Sequence, residues 1–212
     1  MRNERMTGSR GRAGFTLIEV LVVFAVVVVL IALLVPLLGN MRMRGAIADS
    51  SANLRSLAMG TLTLAGDNNG RLPTVTNWRH ALYPVLYEGA EWPGFEPWET
   101  GENLRGSVFY CPLKDLVDEG QPVRSYGYNA FLDGVGEDSD EIALVNYGRP
   151  VNTVFFGTTR NSSSLRSADR SGGTLSDRAD GRVLLVYLDG HLEALPPADI
   201  PESGGEPFWS GG

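Results

Sequence analysis

Glu19 is the residue whose position most directly indicates chemistry. It is the fifth residue of the run Phe15–Leu38, whose other members are apolar or small except for Thr16 and Pro36. An acidic side chain near the centre of a membrane helix costs about 2.5 to 3.5 kcal/mol, and somewhat less toward the helix end. We therefore expect a partner to compensate the Glu19 carboxylate.

A second concentration of carboxylates lies further along the chain, at Asp133, Glu137, Asp138, Asp140 and Glu141. Carboxylate oxygens are the ligands that calcium prefers, and Asp133, Asp138 and Asp140 are candidate ligands. Their spacing does not match an EF-hand loop, and acidic surface loops are mostly just solvated. The sequence leaves both a calcium site and a solvated loop open.

The other reactive side chains form no catalytic pattern. His80 and His191 have no cysteine or second histidine at metal-ligand spacing. Gly134-Val135-Gly136 lacks the third glycine and the following helix of a dinucleotide site, and no Gly-x-Ser-x-Gly elbow is present. We expect no enzyme activity, and no cofactor apart from the calcium considered above.

The run 15–38 predicts one membrane-spanning helix. It is about 24 residues long, which is about 36 Å of helix and enough to cross a hydrocarbon core of about 30 Å. Pro36 should kink this helix rather than end it. Residues 1–14 form a basic leader, with Arg2, Arg5, Arg10 and Arg12. Its positive charge should keep the leader in the cytoplasm and place the rest of the chain outside.

Helical periodicity continues after the membrane span, over residues 39–65. The apolar residues that recur at helical spacing are Ile47, Leu54, Leu57, Ala58, Leu62 and Ala65. They predict an amphipathic continuation of the helix, whose apolar stripe packs on a globular domain. The segment Gly66–Gly70 should end the helix, because glycine and asparagine tolerate a left-handed backbone.

Residues 66–195 are predicted to form an α+β domain, in which the long N-terminal helix packs on a small antiparallel sheet. The predicted elements are a short helix at 78–87, strands at 107–111, 142–147 and 152–157, and a packed loop at 126–129. Two closing strands, 182–188 and 191–195, should be joined by a two-residue Asp189-Gly190 turn with positive φ at both positions. Residues 196–212 are rich in Pro, Gly, Glu and Ser, and predict a flexible tail.

The N-terminal pattern resembles a known class of processing signal. The string Gly14-Phe15-Thr16-Leu17-Ile18-Glu19, between a basic leader and an apolar helix, is similar to the class III signal of type IV pilins and type II secretion pseudopilins. A conventional secretory signal has a shorter apolar core and a small-x-small cut site. An uncleaved signal anchor would have no reason to carry Glu19.

The resemblance implies a processing pathway and an assembly role. A prepilin peptidase would cut between Gly14 and Phe15 and methylate the new amine of Phe15. The Glu19 carboxylate of one subunit would then pair with the Phe15 amine of a neighbour, which compensates a charge that is costly in a low dielectric. The implied partners are the membrane, the prepilin peptidase/methyltransferase, and other pilin or pseudopilin subunits.

Three further strings resemble a subgroup of pilin-like proteins that is common in planctomycete and verrucomicrobial genomes. They are Cys111-Pro112, Tyr126-Gly127-Tyr128-Asn129 and Asp189-Gly190-His191. That subgroup usually has a histidine at the position of Ala179, so any role of that histidine does not carry over.

Composition limits the remaining possibilities. The leader carries four Arg and one Glu, so its removal changes the formal charge from -7 to -10. So acidic a chain is not expected to bind nucleic acid. Cys111 has no second cysteine for an intrachain disulfide and is expected to be a buried apolar side chain.

Three functions remain. The sequence favours a filament subunit that waits in the bacterial inner membrane before assembly. Alternatives are a minor pilin that acts as a binding or adhesion module, with Trp78, Trp92, Phe95 and Trp98 as an aromatic surface, and a non-assembling membrane-anchored domain. The choice between pilus and secretion system, and between major and minor subunit, stays open.

Overall fold

The computed structural model describes residues 16–93, 104–117, 125–132, 142–143, 147–160, 162, 164–166 and 175–211, without the side chains of 35–38, 117 and 142–143. The chain forms two compact units, Met1–Arg42 and Met43–Gly212. Helix α1, Leu17–Asp67, contributes residues to both. It continues through position 36, as predicted, and is followed by Asn69 and Gly70 at φ of 57° and 80°.

The other helices and strands among the described residues belong to the second unit. They are β1 Arg71–Leu72, α2 Trp78–Leu86, α3 Lys114–Val117, β2 Tyr126–Asn129, β3 Ile142–Ala143, β4 Val154–Thr158, β5 Ser164–Leu165, β6 Val183–Tyr187, β7 Leu192–Leu195 and α4 Pro207–Ser210. Short 3-10 turns occur at Ala130–Leu132, Pro150–Asn152 and Pro197–Asp199. Helix α2 confirms the helix predicted at 78–87.

The second unit is built on a five-stranded sheet in the order β5-β2-β4-β6-β7. The pairs β2–β4, β4–β6 and β6–β7 are antiparallel, whereas β2 and β5 are parallel. The predicted α+β class is therefore confirmed, but the sheet is mixed rather than wholly antiparallel. The chain reverses after β4 and reaches the outer edge of β2, so β5 runs in the same direction as β2.

Gly127 permits this close parallel pairing. A Cβ atom at this position would lie 2.8 Å from the backbone carbon of Ser164 and 2.7 Å from Cγ2 of Thr159. Glycine inside a strand often marks such a close approach of another backbone. The glycine of the Tyr-Gly-x-Asn string thus lies at the position in β2 where the backbone of β5 comes too close for any side chain.

One apolar cluster contains the part of α1 that belongs to the second unit. Leu54, Leu57 and Ala58 are fully buried there, together with Trp78 of α2 and Phe156 of β4. Of the apolar residues from which the stripe over 39–65 was predicted, Ala65 is also buried here, and Ile47 and Leu62 are partly buried. These apolar side chains provide the contact with the sheet that a helix of this length needs for stability in water.

A second apolar cluster lies on the other side of the sheet. Val183, Leu185 and Tyr187 of β6 belong to it, whereas the alternate residues of β6 belong to the first cluster. Ile200 and Trp209 complete it, each with an exposed fraction of 0%. The prediction of a flexible tail at 196–212 is therefore wrong for these residues. Because β6 is apolar on both faces, it needs a cover on each, and the C-terminal segment supplies one.

Three local predictions also differ from the structure. Residues 107–111 form turns rather than a strand, and residues 126–129 form strand β2 rather than a loop. Strands β6 and β7 form the predicted hairpin, but Gly190 has a φ of 88° and Asp189 is not in the positive region. The Gly190 N–H donates to the Tyr187 carbonyl at 2.9 Å, and the Tyr187 N–H donates to the His191 carbonyl at 3.0 Å. This pattern is a three-residue loop with a left-handed glycine.

Candidate processing and assembly site

Glu19 lies in the first turn of α1, where it forms a reciprocal cap with Thr16. Its Oε2 accepts hydrogen bonds from the Thr16 backbone N–H at 2.8 Å and from the Thr16 hydroxyl at 2.7 Å. The Glu19 backbone N–H donates to Oγ1 of Thr16 at 3.4 Å. This is a capping box, in which the threonine and the glutamate satisfy amide groups that a helix start leaves unpaired.

The carboxylate therefore has a local role that sequence reasoning missed. The signal was present, because Thr16-Leu17-Ile18-Glu19 fits the Ser/Thr-x-x-Glu pattern that precedes an apolar helix. Glu19 is still exposed in this arrangement. Its hydrogen bonds in the cap are all with Thr16. An exposed carboxylate on an apolar helix remains available to a cationic partner. Gly14 and Phe15 lie outside the described residues.

The first part of α1 presents apolar side chains around its whole circumference. The large aliphatic and aromatic side chains between Leu17 and Leu34 are each 43% to 83% exposed in the single chain. Within the described part of the chain, α1 is the helix that is long and apolar enough to cross a membrane. A helix that is apolar on all sides requires lipid or other protein around it.

The predicted calcium ligands Asp133, Asp138 and Asp140 lie outside the described residues, so a calcium site stays a prediction. Among the described residues, no group of three or more His, Cys, Asp or Glu side chains is arranged to hold a metal ion.

The aromatic residues suggested as a binding surface do not all lie at the surface of the protein. Trp78 is 2% exposed and packs at 5.1 Å, edge to face, on Phe156, so it belongs to the core. Phe95 and Trp98 lie outside the described residues.

Cys111 is buried and free, as predicted. Its Sγ lies 3.3 Å from the Ser50 hydroxyl, and the Tyr126 hydroxyl donates to the Ser50 carbonyl at 3.5 Å. Burial, and next the neighbouring Cys111, raise the pKa of Tyr126 well above its ordinary value. The Tyr126 phenol is therefore neutral, and Ser50, Cys111 and Tyr126 form a buried contact between α1 and the sheet. A thiol so enclosed is not placed to form intermolecular disulfides.

Asn129, the last residue of the Tyr-Gly-x-Asn string, joins three parts of the second unit. Its Nδ2 donates to the carbonyls of Val154 at 2.8 Å and Trp209 at 2.9 Å, and its Oδ1 accepts from the Phe131 N–H at 3.0 Å. Asn129 is fully buried. The side-chain amide thus ties the end of β2 to β4 and to the C-terminal helix α4.

We expect Asn129→Asp to lower the free energy of unfolding by about 3 kcal/mol at neutral pH, because two carbonyls would then face an oxygen in a buried position. The introduced carboxyl should have a raised pKa in the folded state. Its protonated form is tolerated better, so the destabilisation should shrink as the pH falls toward about 4. Denaturant unfolding of the full chain in detergent at several pH values measures this. Asn68→Asp, at an exposed turn residue, is the control and should change stability little; equal effects of the two changes would contradict the assignment.

The decisive comparison concerns the N-terminal region. Residues 9–35 match the prokaryotic N-terminal methylation motif. The chain carries a type IV pilin-like prepilin signal. The match includes Gly14, Phe15 and Glu19 and most of the apolar run, and the second compact unit lies outside it. No curated protein and no solved structure matches the chain.

Proposed function

We propose that the chain is a structural subunit of a type IV pilus-like or type II secretion-like filament. A prepilin peptidase cuts it after Gly14 and methylates Phe15, and it then assembles through its N-terminal helix. The observation that carries the proposal is the methylation motif over residues 9–35, most of which forms a helix with apolar side chains on every side. Such a helix is suited first to lipid and later to the packed core of a filament.

In the proposed order of events, the apolar surface of residues 17–34 is covered at every stage. Before assembly the chain stays in the inner membrane, with its leader in the cytoplasm and the second unit outside. During assembly, contacts with other copies replace lipid contacts around residues 17–34. The globular unit then coats the filament. We also propose that the chain belongs to the planctomycete and verrucomicrobial subgroup of pilin-like proteins. The support is the similarity of three strings to that subgroup: Cys111-Pro112, Tyr126–Asn129 and Asp189–His191.

In the proposed filament, Glu19 exchanges one partner for another. In the described structure its carboxylate accepts from Thr16, and cleavage after residue 14 creates a cationic amine only one residue before Thr16. A neighbouring subunit would bring such an amine to the carboxylate in a dry environment, where a charged hydrogen bond is strong. The capping box keeps the carboxylate bonded until then, which reduces the cost of carrying it in the membrane.

We expect Glu19→Ala and Glu19→Gln to leave processing intact and to reduce the yield of sheared filaments at least about tenfold, because loss of the carboxylate leaves the neighbour's amine as an unpaired charge in a dry site, at a cost of about 3 to 5 kcal/mol. Glutamine keeps an acceptor oxygen for Thr16 but has no charge, so it separates capping from charge pairing. The measurement is the filament yield relative to processed protein in the membrane.

Thr16→Ala is the matched control, because it removes the hydroxyl of the cap and retains the carboxylate. It should reduce filament yield far less than either change of Glu19. If Glu19→Gln assembles as well as the unaltered chain, the role of the negative charge is refuted. If Thr16→Ala fails as completely as Glu19→Gln, the cap rather than the intersubunit pair is what assembly requires.

A further inference from the structure

A concave site of about 430 Å³ lies beside the loop between β6 and β7. Its walls include the aromatic side chains of Tyr187, His191 and Phe208, and Glu193 provides a carboxylate. The His191 ring stacks on the Tyr187 ring with a centroid distance of 4.1 Å and an interplanar angle of 11°. Phe208 of α4 meets Tyr187 edge to face at 5.9 Å. The site thus combines flat aromatic surfaces with a negative charge.

Hydrogen bonds hold the polar groups of this site in fixed positions. The Tyr187 hydroxyl donates to Oε2 of Glu193 at 2.8 Å. Nδ1 of His191 is paired with Oδ1 of Asp189, which also accepts from the His191 N–H at 3.0 Å. Burial, and next Glu193, raise the pKa of Tyr187 well above its ordinary value, so the phenol is neutral. Among the described residues, no donor contacts the other carboxylate oxygen of Glu193, Oε1.

The side chains that line the site include one carboxylate, that of Glu193. No arginine or lysine is among the described residues that line it, and Arg182, near the other end of the hairpin, donates to the Ala194 carbonyl at 3.1 Å. Asp189, which is bonded to the lining residue His191, is a second carboxylate nearby: burial opposes its ionisation, but its hydrogen bonds and charge interaction with His191 outweigh this and lower its pKa. Aromatic faces and carboxylates together favour a cation.

We propose that this site binds the guanidinium group of an arginine side chain of a second copy of the chain. A guanidinium is planar, stacks on aromatic rings, and matches the oxygens of a carboxylate with paired N–H groups. An ammonium lacks both the plane and the fork. The site is also open enough to accept a side chain that arrives from another molecule, since Val151 at its rim is 59% exposed.

The choice of a second copy as the source rests on the proposed function and on the composition of the chain. Of the 18 basic residues, Lys114 is the one lysine and the others are arginines. Lys114 is 4% exposed, whereas Arg44, Arg55 and Arg149 are exposed. A neighbouring subunit therefore presents guanidinium groups rather than ammonium groups. In a filament of acidic subunits, such a contact would offset part of the repulsion between globular units.

The first experiment tests the chemistry with a defined probe. The full chain in detergent is labelled with ¹³C-histidine and titrated with N-acetyl-arginine methylamide, and the imidazole signals are followed by NMR. The chain has two histidines, so His80, which does not line the site, serves as an internal reference. We expect saturable shifts of the His191 signal with the arginine probe, and much weaker ones with the citrulline analogue, a neutral isostere, and with the lysine analogue. Equal responses to the arginine and citrulline probes would overturn the proposal.

Variants link the response to the site. Glu193→Gln should weaken binding of the arginine probe about fivefold, the effect of losing an exposed ion pair worth about 1 kcal/mol. Glu91→Gln, an exposed glutamate outside the lining, is the matched control and should leave binding unchanged. Phe208→Leu keeps an apolar side chain and should weaken binding by removal of an aromatic wall. Unchanged binding in Glu193→Gln would refute the role of the carboxylate.

The second experiment tests the source of the arginine and separates this inference from the proposed function. Two differently tagged copies are expressed together, and their co-purification is compared for the unaltered chain, Glu193→Gln and Glu91→Gln. Reduced co-purification for Glu193→Gln alone supports the second copy. If the probe binds but co-purification is unaffected, a second copy is not the source. If the probe fails to bind while the chain is processed and assembled normally, the inference fails and the proposed function stands.

Discussion

Expression with a prepilin peptidase is expected to yield a chain that begins at N-methylated Phe15 and lacks residues 1–14. In the same cells, Gly14→Val should accumulate at the mass of the full precursor. The reason is that cleavage brings the peptide bond after position 14 against the catalytic groups, and a branched side chain there would block an approach that glycine allows. Intact mass spectrometry of membrane-extracted protein distinguishes the two forms directly.

Gly11→Val is the matched control for this experiment. It introduces the same side chain in the same leader but three residues before Gly14, so it should be processed normally. An unaltered chain that keeps its leader in the presence of an active peptidase would contradict the proposed function. Equal loss of processing in both variants would show that the leader as a whole, rather than Gly14, is recognised.

Trp209→Ala is expected to lower the free energy of unfolding of the second unit by about 3 to 5 kcal/mol, the range for loss of a large buried aromatic side chain. Trp209 has an exposed fraction of 0%, and its Nε1–H donates to the Pro201 carbonyl at 2.9 Å. It also contacts Phe131 and Phe208, with ring centroids 5.7 Å and 4.8 Å away. Chemical denaturation followed by far-UV circular dichroism measures the loss in the full chain in detergent.

Ser203→Ala tests the same segment at an exposed residue and should change stability by less than about 0.5 kcal/mol. A similarly small effect of Trp209→Ala would mean that the C-terminal segment does not cover the sheet in solution. The earlier expectation of a flexible tail would then be restored. A large effect confined to Trp209 establishes that residues near the C-terminus form part of the core.

The difference between the predicted and observed tail has an identifiable cause. Composition favoured a loose segment, because Pro, Gly, Glu and Ser outnumber its apolar residues. The opposite evidence was in β6, where apolar residues occupy consecutive positions from Val183 to Tyr187. Since successive side chains of a strand point to opposite faces, such a run must be covered on both sides. The C-terminal segment has few apolar residues, but three of them are large enough to contribute to that cover: Ile200, Phe208 and Trp209.

Strand β2, at 126–129, was predicted as a loop because its local sequence does not favour a strand. Tyr126-Gly127-Tyr128-Asn129 is short, contains a glycine and ends in asparagine, all of which favour a loop on local grounds. Its pairing with β4 and β5 overrides those preferences. Partners so distant in sequence cannot be recognised from local pattern, and neither can the close approach of Ser164 that makes Gly127 necessary.

The processing motif, the long helix with its two kinds of surface, and the closing hairpin could all be predicted from the amino-acid sequence, because each depends on residues near one another in the chain. Helical periodicity, a motif within residues 9–35 and a turn are all local properties. The mixed sheet, the second apolar cluster and the aromatic site around Tyr187 and Phe208 could not be predicted in this way and became visible only in the folded chain. Those features arise where distant segments meet, and the free energy that brings them together comes from burial shared between segments.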